Sequence, residues 1–352
     1  MHTALLLLAA LLVSASAAAA CPQRVEPLVA RDLPWVLAND VDWLDDGRVL
    51  IGARDGILEY HVANGSARKI IAAGDPPAGI RDAVKLATDG RSVVAFNFDY
   101  VDVAFDLTRR EMLEARRFPA MQMYDVAVRG DAVALLGYPL QVKGLAGGTL
   151  WLGKLGAPWE SFRRLRAFGV PAAQSKGKTL PPIFPPYSGA VLFTRDGSIA
   201  MITPLEPGVL RFGADGTPLP TLGRSLDELV IERLPELSRY AADPLGRYEA
   251  LLNRQPLADD LIETAAGLAI VVRRFAEGRV WWELWFVDAT GAPRRVRLGI
   301  DDRRPSGGHL LCDGRGTKVA CVYRQFRGQN AIGPARFVLF DLATAKPDAS
   351  CR

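Results

Sequence analysis

The stretch DWLDDGRVLIGARDGILEYHVANG, residues 42–65, decides the fold. It holds three short apolar runs punctuated by Asp46-Gly47 and Asp55-Gly56, and it ends on Asn64-Gly65. Asp-Gly and Asn-Gly accept the left-handed backbone of tight hairpins, so the runs between them read as antiparallel strands. The unit recurs. LDDGRVLI (44–51), ATDGRSVVAF (87–96), VRGDAVALL (128–136), TRDGSIAMI (194–202), TAAGLAIVV (264–272) and CDGRGTKVACV (312–322) each set an apolar strand on either side of a glycine turn. Each is followed by a further strand and turn: GILEYHVANG, YVDVAFDLTR, GTLWLGKLG, GVLRFGADG, WWELWFVDATG and ARFVLFDLAT.

Six units of four strands are expected. Gly47, Gly90 and Gly130 stand 43 and 40 residues apart, and insertions stretch the next spacings to 67 and 70. A repeat of about 40 residues is the length of one propeller blade. Such sheets cannot bury both faces alone, whereas stacking them radially buries a core between each neighbouring pair. The blade pattern resembles the bacterial six-bladed β-propellers of the NHL-like and TolB-like kind, over the whole chain after the leader. The resemblance implies an all-β, six-bladed β-propeller of four-stranded antiparallel blades and says little about function. The last unit shows three clear strands after Gly308, so QRVEPLVA (23–30) is expected to supply the fourth and close the ring.

MHTALLLLAALLVSASAAAA reads as a signal peptide over residues 1–20, with an apolar core from Ala4 to Val13 and small residues before Cys21. The n-region departs from the pattern, having no Lys or Arg. Export to the periplasm or the extracellular space is therefore expected, with residues 21–352 forming one propeller domain. All four cysteines survive cleavage after Ala20, and an even number in an oxidising compartment suggests pairing. Three connectivities exist. The favoured one joins Cys312 to Cys321 across a hairpin and Cys21 to Cys351 across the chain ends. The alternative makes Cys21 a lipidated cysteine, the only route to a membrane, although Ala18 stands where a Leu is usual. Cysteines at CxxC spacing are absent, which argues against structural zinc.

The net charge of +4 arises from 43 basic and 39 acidic residues with no long block of one sign, so nucleic acid is not an expected partner. Strand direction alternates within a blade. First-to-second and third-to-fourth turns therefore share one face, and all of these are tight. The other face receives every long connection: 137–148, 168–189, the stretch from Arg224 to Asp260, and 324–336. Long loops on a rigid scaffold are where binding usually resides. The stretch at about 224–260 carries a helical period, opening with Ser225 and Glu228 in a capping-box pattern, and predicts a short helical insertion between blades 4 and 5.

Catalytic motifs are scarce. GxSxG, HExxH and a P-loop are missing, and only His61 and His309 remain after the leader. Counting five residues back from each first-turn glycine gives Asp42, Lys85, Asp125, Leu192, Ile262 and His309, four of them ionisable. This predicts a polar ring of Asp42, Lys85, Asp125 and His309 around the central channel, against the plainer reading of paired structural charges. The Asp40, Asp42, Asp45 and Asp46 cluster lacks the Glu of an EF-hand loop. The RGD at 129–131 reads as hairpin chemistry, and WWELWF as interblade packing rather than a sugar platform.

The leading expectation is a monomeric, noncatalytic exported propeller that binds a protein or an anionic small molecule or glycan on its long-loop face, with no cofactor. Arg273, Arg274, Arg303, Arg304, Arg324 and Arg327 fall on connections of that face near blades 5 and 6 and form the candidate site, since guanidinium groups grip carboxylate or phosphate bidentately. Interleaved Glu277, Asp301 and Asp302 support mutual neutralisation instead. The alternative is a hydrolase or lactonase at the channel mouth using a divalent cation, for which Asp42, Asp125 and Asn39 are the offered ligands.

Overall fold

The computed structural model describes residues 22–34, 38–72, 74, 80, 85–96, 101–117, 121–139, 148–168, 189–230, 255–289, 292–302, 308–327, 330–331 and 334–348. Its strands in chain order are β1 (Gln23–Val25) and β2 (Pro27–Asp32), then β3 (Ala38–Trp43), β4 (Arg48–Ala53), β5 (Gly56–His61) and β6 (Ala67–Ala72), which form blade 1. Blade 2 is β7 (Lys85–Thr88), β8 (Ser92–Phe96), β9 (Val101–Asp106) and β10 (Glu111–Arg117). Blade 3 is β11 (Met121–Arg129), β12 (Ala132–Pro139), β13 (Gly148–Lys154) and β14 (Arg163–Phe168). Blade 4 is β15 (Ala190–Phe193), β16 (Ile199–Thr203), β17 (Glu206–Phe212) and β18 (Pro218–Leu222). Blade 5 is β19 (Leu257–Thr264), β20 (Gly267–Ala276), β21 (Arg279–Phe286) and β22 (Arg294–Asp302). Blade 6 uses β23 (Gly308–Arg315), β24 (Lys318–Arg327) and β26 (Arg336–Asp341), with the short β25 (Asn330–Ala331) beside β24 and β27 (Lys346–Pro347) at the end.

The six innermost strands contact one another in sequence, and β23 returns to β3, so the ring is closed. The N-terminal segment closes it. β2 pairs antiparallel with β26 as the outermost strand of blade 6, while β1 runs parallel to β22 on blade 5 and pairs with β27. The segment read as one closing strand is thus divided between two blades at Glu26.

Core placement follows from side-chain alternation. Within β4, Val49 and Ile51 pack toward blade 6 with Phe337 and Val322, whereas Leu50 packs toward blade 2 with Leu86 and Val93. Every seam between blades has one such cluster, six in all among the described residues. Leu50 is fully buried, and truncating a buried leucine typically costs about 2–5 kcal/mol. Cys312 and Cys321 are cross-strand partners joined by a disulfide inside the seam between blades 5 and 6. The other pair, Cys21 and Cys351, lies outside the described residues.

The predicted helices of the 224–260 stretch also fall largely outside the described residues. What is described there is a single 3-10 turn, Asp227–Leu229, and the start of β19 at Leu257. Residues 257–260 therefore belong to blade 5, because Leu257 and Ala258 pair with Arg273 and Val272.

Candidate functional site: the polar channel and its two mouths

Innermost strands enter from the long-connection face and leave at the tight turns, so position along each strand sets depth in the channel. The central cavity measures about 140 Å³. Asp40, Lys85, Asp125 and Asp260 lie at its mid-level. Asp40, Asp125 and Asp260 each follow a β-bulge, in β3, β11 and β19 respectively. A bulge re-aims the side chain that follows it. Each carboxylate accepts a backbone N–H from the innermost strand of the next blade: Asp40 from Leu86 at 2.9 Å, Asp125 from Val191 at 2.7 Å, and Asp260 from Cys312 at 2.9 Å. Odd blades therefore brace even blades three times around the ring.

Lys85 stands among these three acids, with Nζ 3.4 Å from Asp125 and 3.6 Å from Asp40. Burial opposes its charge, but Asp125, Asp40 and Asp260 outweigh burial and hold Lys85 above the ordinary lysine range. Burial raises Asp40 to about 6 despite the pull of Lys85, and it raises Asp125 and Asp260 in the same way. Toward the tight-turn end, burial and then the Asp313 carboxyl, which shares a hydrogen bond with it, push Asp42 well above the usual carboxylate range. These two acids also brace blades, since Asp42 accepts Thr88 N–H at 2.6 Å and Asp313 accepts Trp43 N–H at 2.8 Å.

Of the four residues expected to ring the channel, Asp42, Lys85 and Asp125 line the cavity. His309 sits instead toward the long-connection mouth, opposite Arg324 on β24. Burial, then Arg273, Arg324 and Lys85, keep it neutral. The blade 5 position is Asp260 rather than Ile262, which is fully buried in an interblade core. In blade 6 the hairpin turns at Gly316, so Gly314, from which His309 was counted, lies within β23 itself, and a fixed count of five from either glycine passes over Asp313. A signal was present for the bracing trio: NDV, YDV and DDL all place an Asp before an aliphatic residue in the first strand of an odd blade.

The candidate arginines are dispersed. Arg273 is only 1% exposed; it is ion-paired with Asp259 and donates to the Gly308 carbonyl at 2.7 Å. Arg274 projects to the opposite side of blade 5, over Trp281 and 3.8 Å from Glu283. Arg324 donates to Asn39 Oδ1, and burial lowers its pKa to about 10. Arg327 pairs with Asn330 in register, and Arg303 and Arg304 lie outside the described residues. Trp282 and Trp285 are fully buried between blades, as the packing reading of WWELWF expects. Asp45 folds back on the Gly47 and Arg48 N–H groups as turn chemistry. Among the described residues, no group of three or more His, Cys, Asp or Glu is arranged to hold a metal ion.

The tight-turn face is tied together laterally. Asp89 accepts Gly130 N–H at 2.9 Å, Arg129 donates to the Thr194 and Arg195 carbonyls, and Glu263 accepts Arg195 N–H at 2.7 Å. Ala265 N–H reaches Gly316 O at 2.6 Å, and Arg315 reaches Asp46 at 2.6 Å. Together with Asp42 and Thr88, these contacts link the first turns of all six blades. The RGD arginine, Arg129, is consumed in this belt.

No protein-family model matches the chain, and no curated protein matches it. Among solved structures, the RRP9 WD40 repeats align with a TM-score of 0.48 and 12% identity over 90% of this chain and 99% of that one. A chain of the mitotic checkpoint complex aligns with a TM-score of 0.46 and 11% identity, covering 90% and 94% respectively. The extracellular domain of a two component system from B. thetaiotaomicron gives 0.37 and 15%, covering 77% of this chain and 30% of that one. Likenesses this distant carry no functional argument, and the six-bladed fold rests on the strand pairing itself.

Proposed function

We propose that this protein is an exported, noncatalytic β-propeller that binds a protein or an anionic ligand on its long-connection face. The observation carrying the reading is the contrast between the two faces. First turns on one face are hydrogen-bonded to one another round the ring, while the three longest connections, 73–84, 169–189 and 223–256, leave from the other. Variable segments on a braced ring are the usual arrangement of a binding scaffold. The channel supports the same conclusion, because Asp40, Asp125 and Asp260 are engaged in bonds between blades. Export is supported by the apolar leader and by the Cys312–Cys321 disulfide, a bond that persists in oxidising compartments.

Arg324, Arg303 and Arg304 are the arginines that this reading retains for ligand contact: Arg273 is buried and ion-paired with Asp259, whereas Arg324 is partly exposed and donates to a neutral amide oxygen, that of Asn39. The test is a binding screen with acidic glycans and phosphorylated ligands, repeated on Arg303→Ala, Arg304→Ala and Arg324→Ala. Hits are expected to weaken about tenfold for each guanidinium removed. Hits indifferent to all three changes would refute the placement.

A further inference from the structure

The tight-turn mouth of the channel opens into a cavity of about 440 Å³ walled by blades 4, 5 and 6. This volume lies within the range of roughly 300–1,000 Å³ of small-molecule sites. Leu192, Phe193 and Asp313 line both this cavity and the channel cavity, so the two spaces share walls. The rim is rigid because the belt of turn bonds runs through it.

Three kinds of group meet there. Leu192 and Phe193, both partly exposed, provide an apolar wall. Glu263 is half-buried, and burial raises its pKa. It accepts the Arg195 N–H through Oε2 at 2.7 Å, which uses one of the roughly four acceptor positions of a carboxylate. Arg195 is exposed, and its backbone is fixed at both ends, the N–H by Glu263 and the carbonyl by Arg129 at 3.1 Å.

The charges select against simple ions. An anion would face the channel carboxylates Asp40, Asp42, Asp125, Asp260 and Asp313, set against Lys85 in the channel and Arg195 and Arg315 on the cavity wall, Arg315 being paired with Asp46. A simple cation would meet Arg195 at the rim. We propose that this mouth binds a small zwitterion of the free amino-acid type, with its carboxylate on Arg195, its ammonium on Glu263 and an apolar side chain on Leu192 and Phe193. The site is on the face opposite the long connections, so its fate is independent of the function proposed above.

The test is calorimetric titration of the full chain with leucine, with isoamylamine, which lacks the carboxylate, and with isocaproate, which lacks the ammonium. Saturable binding of leucine is expected, and each analogue should bind at least about tenfold more weakly. Glu263→Gln keeps an oxygen for the Arg195 N–H, and Arg195→Ala leaves the backbone bonds in place. Both should lose about tenfold in leucine affinity with thermal unfolding little changed. The proposal is overturned if no apolar amino acid binds saturably at millimolar concentration, if either analogue matches leucine, or if leucine binding ignores both substitutions.

Discussion

Lys85→Met removes the one cation that lines the channel among Asp40, Asp125 and Asp260, while keeping most of the side-chain volume. Lys85 is 13% exposed, and its Nζ lies 3.4 Å from Asp125 and 3.6 Å from Asp40. Breaking a buried ion pair from one side costs about 3–5 kcal/mol because the remaining charge is uncompensated. A domain has only about 5–15 kcal/mol in total, so the loss should be evident in chemical denaturation followed by tryptophan fluorescence. The sign of its pH dependence follows from Asp40, whose carboxyl rises from 3.8 in the unfolded chain to about 6 in the fold. A raised acid contributes stability that is fully present below its unfolded value and lost as pH climbs through its folded value. For Asp40 that window is about pH 4 to 6. Lys85 lowers Asp40, Asp125 and Asp260 alike, so its removal extends the window upward. The deficit of the variant should therefore be largest near neutral pH and shrink toward about pH 4. A loss below about 1 kcal/mol, or one that does not vary with pH, would refute the reasoning.

The chain ends are held together by Asp348 N–H on the Pro22 carbonyl at 2.8 Å, with Gln23 facing Pro347, so Cys21 is expected to pair with Cys351. Nonreducing mass spectrometry should find two linkages and no free thiol; a lipidated Cys21 or alkylated cysteines from oxidised material would contradict this. Replacing both Cys312 and Cys321 by Ala should cost up to about 3 kcal/mol on the loop-entropy account, read as a lower denaturation midpoint. Arg129→Ala removes the contacts to Thr194 and Arg195 and should cost about 1–3 kcal/mol, whereas an unchanged midpoint would show that the turn belt does not carry load between blades 3 and 4.

The fold was legible because glycine turns and apolar alternation are local signals, and radial stacking is the way such units bury both faces. Asp42, Lys85 and Asp125 were legible because each stands five residues before the glycine of its first turn. Asp260 and Asp313 were hidden because the turn glycine does not hold one place in the hairpin: Gly130 opens its turn, Gly267 follows the Ala265-Ala266 turn two positions later, and Gly314 lies within β23 before the turn at Gly316. Arg273 and Arg274 illustrate a different limit. Adjacent residues on a strand point to opposite faces, so neighbours in sequence that looked like one basic cluster became a buried ion pair and a tryptophan-stacked cation. The division of the N-terminal segment between blades 5 and 6 was also out of reach, because it depends on pairing across nearly the whole chain.

The central claim is that the polar centre of this propeller braces the ring and leaves recognition to its faces. Hydrogen exchange at Leu86, Val191 and Cys312 tests it most directly, since these three amides are bound by Asp40, Asp125 and Asp260 across blade seams. The account predicts that all three exchange only through global opening, and that removing one carboxylate, as in Asp125→Ala, speeds its own partner Val191 far more than the other two. Exchange of these amides in the unaltered protein as fast as that of the exposed turn amides would contradict it.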